Sequence, residues 1–367
     1  MIITEIHLAQ LTIPLIRPFI TAVRRTDCVE DVVVMIKTDS GNIGYGSAAS
    51  TPAITGDSTE SIISAITTVL GPQLIGQSIS DLEALLQRNE QALPRNTSAK
   101  AAIDIALHDL LAQSCDLPLY KFLGGNSSTL NSCITISLKG IDAMVQDAID
   151  LVNQGYPTIK IKLGSNAIDD VMRVHTIRQA VGDRINLLVD ANQGWSYEDA
   201  LQVINAFKQQ QLNIHMIEQP VSAQDLMDLK AISDQVDCLI IADEACFSVA
   251  DTLAIAKTKG CDGVNIKLMK SGGIRNAQAI YTIANNAEMK IMVGCMLESP
   301  IGVAAIASFA ASKPDIYCAD LDPIFLIRDN YVHGGAQRVG NNICLSEKPG
   351  LGIEGISQGL KQIGVIR

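Results

Sequence analysis

Five charged residues recur at nearly even intervals in the second half of the chain, and their types suit proton transfer beside a metal ion. They are Lys162, Asp190, Glu218, Asp243 and Lys267, separated by steps of 28, 28, 25 and 24 residues. Each closes a short apolar run, and each step matches the length of one strand-and-helix unit. Because the spacing holds over five units, we interpret these residues as one site rather than as chance charges at strand ends.

The three carboxylates of this set follow consecutive apolar runs and are expected to converge. Carboxylates that lie together repel one another unless they are protonated or neutralised, and such hard oxygen ligands favour Mg²⁺ or Mn²⁺. We predict one Mg²⁺ per subunit, replaceable by Mn²⁺, held by Asp190, Glu218 and Asp243. The alternative is that carboxylates pair with barrel lysines. Asn192 shares a strand face with Asp190 and is placed to steady it.

The lysines suggest the reaction. In PTIKIKLG, residues 157–164, Lys160 and Lys162 share one strand face about 7 Å apart. Such a pair also occurs on exposed edge strands, where lysine opposes aggregation. In an eight-stranded ring, however, Lys162 and Lys267 would end the second and sixth strands and face each other. A neutral amine can then remove a proton from carbon while a charged amine returns one to the opposite face, which is racemisation or epimerisation.

A lysine that acts as a base near pH 7 must be partly neutral, although the usual lysine pKa is about 10.4. Burial, a metal ion and a second cation all favour the neutral form. We therefore expect Lys160 to lower the proton affinity of Lys162. We also expect it to donate a hydrogen bond to an oxygen of the enolate that forms when a carbon next to a carboxylate loses its proton.

The elements that must position these residues form a repeat. From about residue 131, eight short apolar runs alternate with about seven amphipathic stretches, which is typical of a parallel (β/α) barrel with its active site at the C-terminal strand ends. The first 125 residues instead predict antiparallel strands and then helices. We predict an α/β fold: an α+β capping domain (1–125), a modified TIM barrel of (β/α)7β type (126–323) and a tail (324–367) that returns to the cap.

Composition excludes several classes of function. The chain has 367 residues, of which 47% are apolar, and a formal charge of -11, which disfavours nucleic acid as a partner. It has no long apolar run, so we expect no membrane span and a cytoplasmic protein. Nine cysteines without paired spacing argue against a disulfide framework. Nothing marks an oligomer interface, and a homo-oligomer stays open.

The whole chain resembles the enolase superfamily in its muconate-lactonising subgroup. The motifs that carry the resemblance are AAIDIALHDLLA, PLYKFLGG, KIK, VDANQGW, IEQP, IADE and NIKLMKSGG. Lys160, Lys162, Asp190, Glu218, Asp243 and Lys267 all match the family's functional positions. The resemblance implies a (β/α)7β barrel with a cap, Mg²⁺ as cofactor and an ene-diolate intermediate.

Within that subgroup the chain is most similar to dipeptide epimerases of the L-Ala-D/L-Glu type, through RPFITAVRRTD, TPAITGD and CADLD. This likeness implies an isomerase acting on small dipeptides derived from peptidoglycan. It implies that Asp320 and Asp322 bind the substrate α-ammonium group and that Arg24 receives a Glu side chain, with the register of Arg24 against Arg25 open. The remaining implied contacts are Thr135, Cys295 and Leu297, with Phe19, Ile54 and Asp57 in the cap loops.

Two other functions stay open. The first is different chemistry on the same scaffold: N-acylamino acid racemase, o-succinylbenzoate synthase or muconate cycloisomerase. Their substrates have no free α-ammonium group, so Asp320 and Asp322 would face them unfavourably. The second is a binding protein without catalysis, which the six intact catalytic and metal-binding positions disfavour.

Overall fold

The computed structural model describes residues 1–367, whose strands form four sheets. The strands are β1 (Ile3–Ile20), β2 (Arg25–Thr38), β3 (Ile43–Ala49), β4 (Thr129–Asn131), β5 (Ile134–Ile136), β6 (Thr158–Lys162), β7 (Asn186–Asp190), β8 (Ile214–Glu218), β9 (Leu239–Ala242), β10 (Gly263–Ile266), β11 (Lys290–Gly294), β12 (Ile316–Asp320), β13 (Val332–Gly334), β14 (Gln337–Val339), β15 (Asn342–Cys344), β16 (Ile353–Ile356) and β17 (Leu360–Ile366).

The helices are α1 (Thr59–Ala65), α2 (Leu82–Gln91), α3 (Thr97–Ser114), α4 (Leu119–Phe122), α5 (Ile141–Asn153), α6 (Ala167–Val181), α7 (Tyr197–Gln209), α8 (Leu226–Ser233), α9 (Val249–Thr258), α10 (Leu268–Ser271), α11 (Ile274–Asn286), α12 (Pro300–Ala311) and α13 (Pro323–Leu326). None of them is both long and apolar enough to cross a membrane.

The central sheet is a nearly closed parallel barrel. Strands β5 to β12 pair in chain order, with at least one helix between each strand and the next. The two ends of the sheet meet where the amide of Cys133 donates a hydrogen bond to the carbonyl of Ala319 at 2.9 Å. The predicted (β/α)7β barrel is confirmed.

Strand β6 shows why PTIKIKLG is not an edge strand. It pairs with β5 on one side and with β7 on the other. Ile159, Lys160, Ile161 and Lys162 are all buried. Since alternate residues of a strand point to opposite faces, the two lysines occupy one face and the two isoleucines the other. The isoleucines join the large apolar core.

The cap is built around the antiparallel sheet β17-β1-β2-β3, against which α3 packs. In GNIGYGS, glycine allows this packing, because a Cβ on Gly46 would lie 1.9 Å from the carbonyl oxygen of Ala102 on α3. Strand β17 pairs with β1, so the C-terminal tail returns to the cap as predicted.

Buried aspartates join the cap to the barrel and the tail. Asp31 on β2 accepts a hydrogen bond from the amide of Ser299 at 2.8 Å, and Asp104 on α3 accepts one from the amide of Ile274 at 2.7 Å. Asp109, also on α3, accepts one from the amide of Leu351 at 2.7 Å. A buried carboxylate that accepts amide hydrogens fixes the direction of the chain it binds. The cap is therefore held against the loops after β10 and β11.

Candidate active site

The five evenly spaced charged residues lie together at one mouth of the barrel. Lys162, Asp190 and Glu218 are the last residues of β6, β7 and β8, while Asp243 and Lys267 directly follow β9 and β10. All five are buried. The strand register sets Lys162 beside Asp190 and Asp190 beside Glu218. The barrel repeat thus produces a cluster of carboxylates and amines from residues distant in sequence.

Lysine nitrogens contact each of the three carboxylates. The Nζ of Lys162 lies 2.5 Å from Asp190 Oδ2, and the Nζ of Lys267 lies 2.5 Å from Asp243 Oδ2. Lys160 is nearly inaccessible and forms ion pairs with Asp190 at 3.0 Å and Glu218 at 2.6 Å. This is the lysine pairing that the sequence left as the alternative to a metal.

The electrostatics differ from the expectation for the lysines. Burial alone would lower the pKa of Lys267, but the charges of Asp243 and Glu218 raise it above its usual value. For Lys160 burial acts in the same way, and Asp190 is the strongest of the carboxylates that raise its pKa. The pKa values of Lys160 and Lys267 are therefore raised because carboxylates outnumber the cations around them.

With every group ionised, the balance of charges at this cluster favours a divalent cation. Six buried carboxylates meet four buried lysines, two positive charges short of neutrality; the groups are Asp190, Glu218, Asp243, Glu244, Asp320 and Asp322 against Lys160, Lys162, Lys267 and Lys270. Burial raises the pKa of Glu218 to about 7, and the charge of Asp190 adds to the rise. Burial, together with Asp243, raises that of Glu244 to about 8.

Three buried oxygens that accept no hydrogen bond also fit a hard cation. They are Glu218 Oε2, which contacts Lys160 only as an ion pair, Glu244 Oε2 and Asn192 Oδ1. No group of three or more His, Cys, Asp or Glu side chains is arranged so that it would hold a metal ion, since lysine nitrogens take the oxygens of Asp190 and Asp243. The donor set is that of a hard cation, although its carboxylates are drawn to lysines.

Asp320 and Asp322 stand at the end of β12, on the side of the mouth nearest β5. Asp320 Oδ2 contacts the Nζ of Lys160 at 2.7 Å, and Asp322 Oδ2 accepts a hydrogen bond from the amide of Thr135 at 2.9 Å. Burial alone would raise the pKa of Asp320, but the charge of Lys160 lowers it. Burial, with the charge of Asp320, raises the pKa of Asp322 to about 6. The pair forms an anionic pocket in which Asp320 pairs with Lys160, whereas Asp322 has no cationic partner.

One cavity contains most of the residues that the sequence singled out. Its lining includes Phe19, Arg24, Ile54, Thr135, Lys160, Lys162, Asn192, Lys267, Cys295, Leu297, Asp320 and Asp322. Arg24 is partly buried, its buried Nε has no hydrogen-bond partner, and burial lowers its pKa. Arg25, in contrast, pairs with Asp27 at the exposed surface. The geometry therefore places Arg24, and not Arg25, in the cavity.

Asp57 and Asn192 act through backbone contacts that residue spacing does not show. Asp57 does not line the cavity; its Oδ2 accepts a hydrogen bond from the amide of Ser98 at 3.0 Å, at the start of α3. Asn192 does hold Asp190, but through its backbone amide at 2.9 Å, while its side-chain amide points to Glu244.

Lys270 and Glu244 also belong to this cluster, although their positions in the sequence did not single them out. The Nζ of Lys270 donates to the Oδ1 of Asp243 at 2.6 Å, to the carbonyl of Asp243 at 2.5 Å and to the carbonyl of Asn265 at 2.9 Å. Glu244 directly follows Asp243, and Lys270 is three residues after Lys267. A second charged residue within three positions of a strand-end residue is the sequence feature that would have identified both.

Two family models match the chain. Residues 3–124 match "Mandelate racemase / muconate lactonizing enzyme, N-terminal domain", and residues 143–357 match "Enolase C-terminal domain-like". The chain is 46% identical to the L-Ala-D/L-Glu epimerase of Clostridium acetobutylicum over 97% of this chain and 100% of that protein.

Solved structures agree with these matches. The substrate-liganded L-Ala-D/L-Glu epimerase of Bacillus subtilis superposes with a TM-score of 0.96 at 41% identity, covering 98% of this chain and 100% of that one. The dipeptide epimerase of Enterococcus faecalis, complexed with Mg and the dipeptide L-Leu-L-Tyr, gives 0.92 at 37% identity, covering 96% and 99%.

Proposed function

Because the chain belongs to the mandelate racemase and muconate lactonizing enzyme family of the enolase superfamily, we propose that it is a Mg²⁺-dependent dipeptide epimerase. The reaction is a 1,1-proton transfer at the α-carbon of the C-terminal residue, of the L-Ala-L-Glu to L-Ala-D-Glu type. The observation that carries this proposal is one cavity that contains Lys162 and Lys267, from strands four apart in the barrel, together with the anionic pair Asp320 and Asp322.

Substrate binding uses charges at opposite ends of the dipeptide. Asp320 and Asp322 bind the α-ammonium group, because a buried carboxylate pair short of cations favours a positive ligand. Thr135 holds Asp322 in place through its amide. Arg24, without a carboxylate partner in the structure, receives the acidic side chain of the second residue.

Proton transfer uses the two lysines on opposite sides of the substrate. One amine removes the α-proton while the other, charged, supplies a proton to the other face of the carbon. Lys160 remains cationic and donates to the developing oxyanion. Asp190, Glu218 and Asp243 would hold Mg²⁺, and the chemistry that Mg²⁺ supplies when bound is positive charge beside the substrate carboxylate.

The test is exchange of the α-hydrogen in D2O. L-Ala-L-Glu and a panel of other dipeptides are incubated with the protein and Mg²⁺, and deuterium incorporation and epimer formation are measured by mass spectrometry and chiral chromatography. We expect exchange that stops on addition of EDTA and returns with Mg²⁺. Absence of exchange with every dipeptide would refute the proposal.

Substitution of either lysine separates the two half-reactions. Lys162→Ala and Lys267→Ala should each abolish epimerisation, whereas exchange from the face of the remaining lysine survives. Turnover of N-succinyl amino acids without any turnover of dipeptides, particularly if Asp320→Asn/Asp322→Asn improves it, would instead support the racemase alternative.

A further inference from the structure

A buried carboxylate outside the cavity, that of Asp170 in the first turns of α6, connects the loops that follow β6 and β7. Its Oδ2 accepts hydrogen bonds from the amides of Gly164 at 2.9 Å and Ser165 at 3.3 Å, and from the indole Nε1 of Trp195 at 2.9 Å. Its Oδ1 accepts one from Arg173 Nη1 at 2.8 Å and one from Ser165 Oγ at 3.4 Å. Asp170 is completely buried, so water cannot replace these partners.

The loop that Asp170 holds begins two residues after Lys162 and has almost no free space. Gly164 has a φ of 93°, and a Cβ there would lie 2.1 Å from the carbonyl oxygen of Ala191. A Cβ on Gly194 would lie 2.3 Å from the carbonyl oxygen of Gly164. The two loops therefore touch through their backbones. A small displacement of either loop would change the position of the C-terminal end of β6.

The two loops do not depend on Asp170 equally. In the loop after β6, the amide of Leu163 donates to the carbonyl of Asp190 at 2.9 Å, but the amides of Gly164 and Ser165 have no acceptor other than Asp170. The loop after β7 has further bonds, from the amide of Gln193 to the carbonyl of Gln219 at 2.9 Å and from the amide of Trp195 to that of Pro220 at 3.1 Å. Removal of the carboxylate would consequently release the loop beside Lys162 more than the loop beside Asp190.

We propose that Asp170 is a positioning residue for Lys162, which it keeps directed into the cavity, and that Lys267 does not depend on it. Lys267 follows β10, four strands from β6 in the barrel, and Asp170 forms no hydrogen bond with α10, which comes next. This inference rests on the proposed function, in which the two lysines serve opposite faces of the substrate.

The test is exchange in D2O measured separately for each epimer of the dipeptide. Lys162→Ala and Lys267→Ala first identify which epimer loses its α-proton to which lysine. Misplacement of a catalytic group by about 1 Å can cost about 10²-fold in rate. We therefore expect Asp170→Ala to slow exchange on the Lys162 face by roughly 10²-fold and on the Lys267 face by less than about threefold. Equal losses on both faces, or no loss, would overturn the inference.

Matched variants separate positioning from loss of stability. Asp109→Ala removes another buried carboxylate, on α3 of the cap, that accepts hydrogen bonds from the amides of Tyr45 at 2.8 Å and Leu351 at 2.7 Å. It should leave the ratio of the two exchange rates unchanged. Trp195 is the only tryptophan, so its emission should shift in Asp170→Ala and not in Asp109→Ala.

Two conservative variants complete the test. Asp170→Asn retains one carbonyl oxygen for the three donors on the Oδ2 side and should restore most of the Lys162-face exchange. If Asp170→Ala does not fold, Asp170→Glu moves the carboxylate by one methylene and should show the same selectivity for the Lys162 face. If the wild-type protein exchanges neither epimer, the proposed function fails; if only the selectivity is absent, this inference alone fails.

Discussion

Asp322→Asn should make the protein more stable and a poorer enzyme. The carboxyl group of Asp322 is buried beside Asp320, and this environment raises its pKa from 3.8 to about 6. The asparagine carbonyl can still accept the hydrogen bond from the amide of Thr135. The substitution thus removes the unfavourable charge without breaking the contact that orients the side chain.

The size and sign of the stability change follow from the pKa. A carboxyl group whose pKa is raised in the folded state contributes stability that is complete below about pH 3.8 and is lost as the pH rises through about 6. The shift from 3.8 to about 6 corresponds to about 3 kcal/mol above pH 7. With an unfolding entropy of about 2.1 cal/mol/K per residue, this equals about 4 °C in Tm for a chain of this length.

The effect on activity has the opposite sign. A hydrogen bond to a charged group is worth about 1.5–3 kcal/mol, so loss of the charge that faces the ammonium group should lower kcat/KM for a dipeptide by roughly 10- to 150-fold. Thermal unfolding of the wild type and Asp322→Asn is compared at pH 4 and pH 8, and kcat/KM is measured for L-Ala-L-Glu. Equal Tm values at pH 8 would show that the charge of Asp322 does not destabilise the folded protein. Unchanged turnover would show that the charge does not bind the substrate.

Three further predictions concern the cap and the loops. Gly164→Ala should lower the free energy of unfolding by about 2 kcal/mol or more, measured with urea, because φ is 93° and the space is filled, whereas Gly140→Ala, with open space around it, should change it little. Burial raises the pKa of Asp31 to about 6, so wild-type stability should fall relative to Asp31→Asn between about pH 4 and pH 7, measured by thermal unfolding; parallel pH profiles would contradict this. Arg24→Leu should lower kcat/KM for Ala-Glu about 10- to 100-fold and leave Ala-Leu within a few-fold, whereas equal losses would show that Arg24 does not receive the side chain.

The barrel was predictable because its repeat is local. Each unit of strand and helix has its own apolar pattern, and the parallel arrangement sends every strand end to the same mouth. The positions of Lys162, Asp190 and Glu218 in the chain were therefore enough to predict that their side chains lie together. The cap was predictable only as a class of structure, since the contact between Asp104 and Ile274 joins residues 170 positions apart.

The contacts within the site were harder to predict because they depend on charge balance. Asn192 steadies Asp190 through its backbone, in a left-handed conformation with φ of 43°, which side-chain spacing does not show. The direction of the pKa shifts at Lys160 and Lys267 depends on how many carboxylates surround each amine. Glu244 enlarges that number, and the sequence analysis did not include it.

Each proposed proton-transfer lysine has a companion lysine on the same carboxylate. Asp190 Oδ2 contacts both Lys162 at 2.5 Å and Lys160 at 3.0 Å. Asp243 contacts Lys267 through Oδ2 at 2.5 Å and Lys270 through Oδ1 at 2.6 Å. The first pair has the i, i+2 spacing of a strand, which the sequence makes visible.

The second pair has the i, i+3 spacing of the helical turn α10 and was missed for that reason. The two lysine pairs are therefore alike in charge but lie on different secondary structure. On one side both lysines belong to β6, and two consecutive amides of the loop that follows bind the carboxylate of Asp170. On the other side the companion lysine belongs to a helix and also binds two backbone carbonyls. A perturbation of one side should accordingly change the balance between the two directions of epimer exchange before it abolishes both.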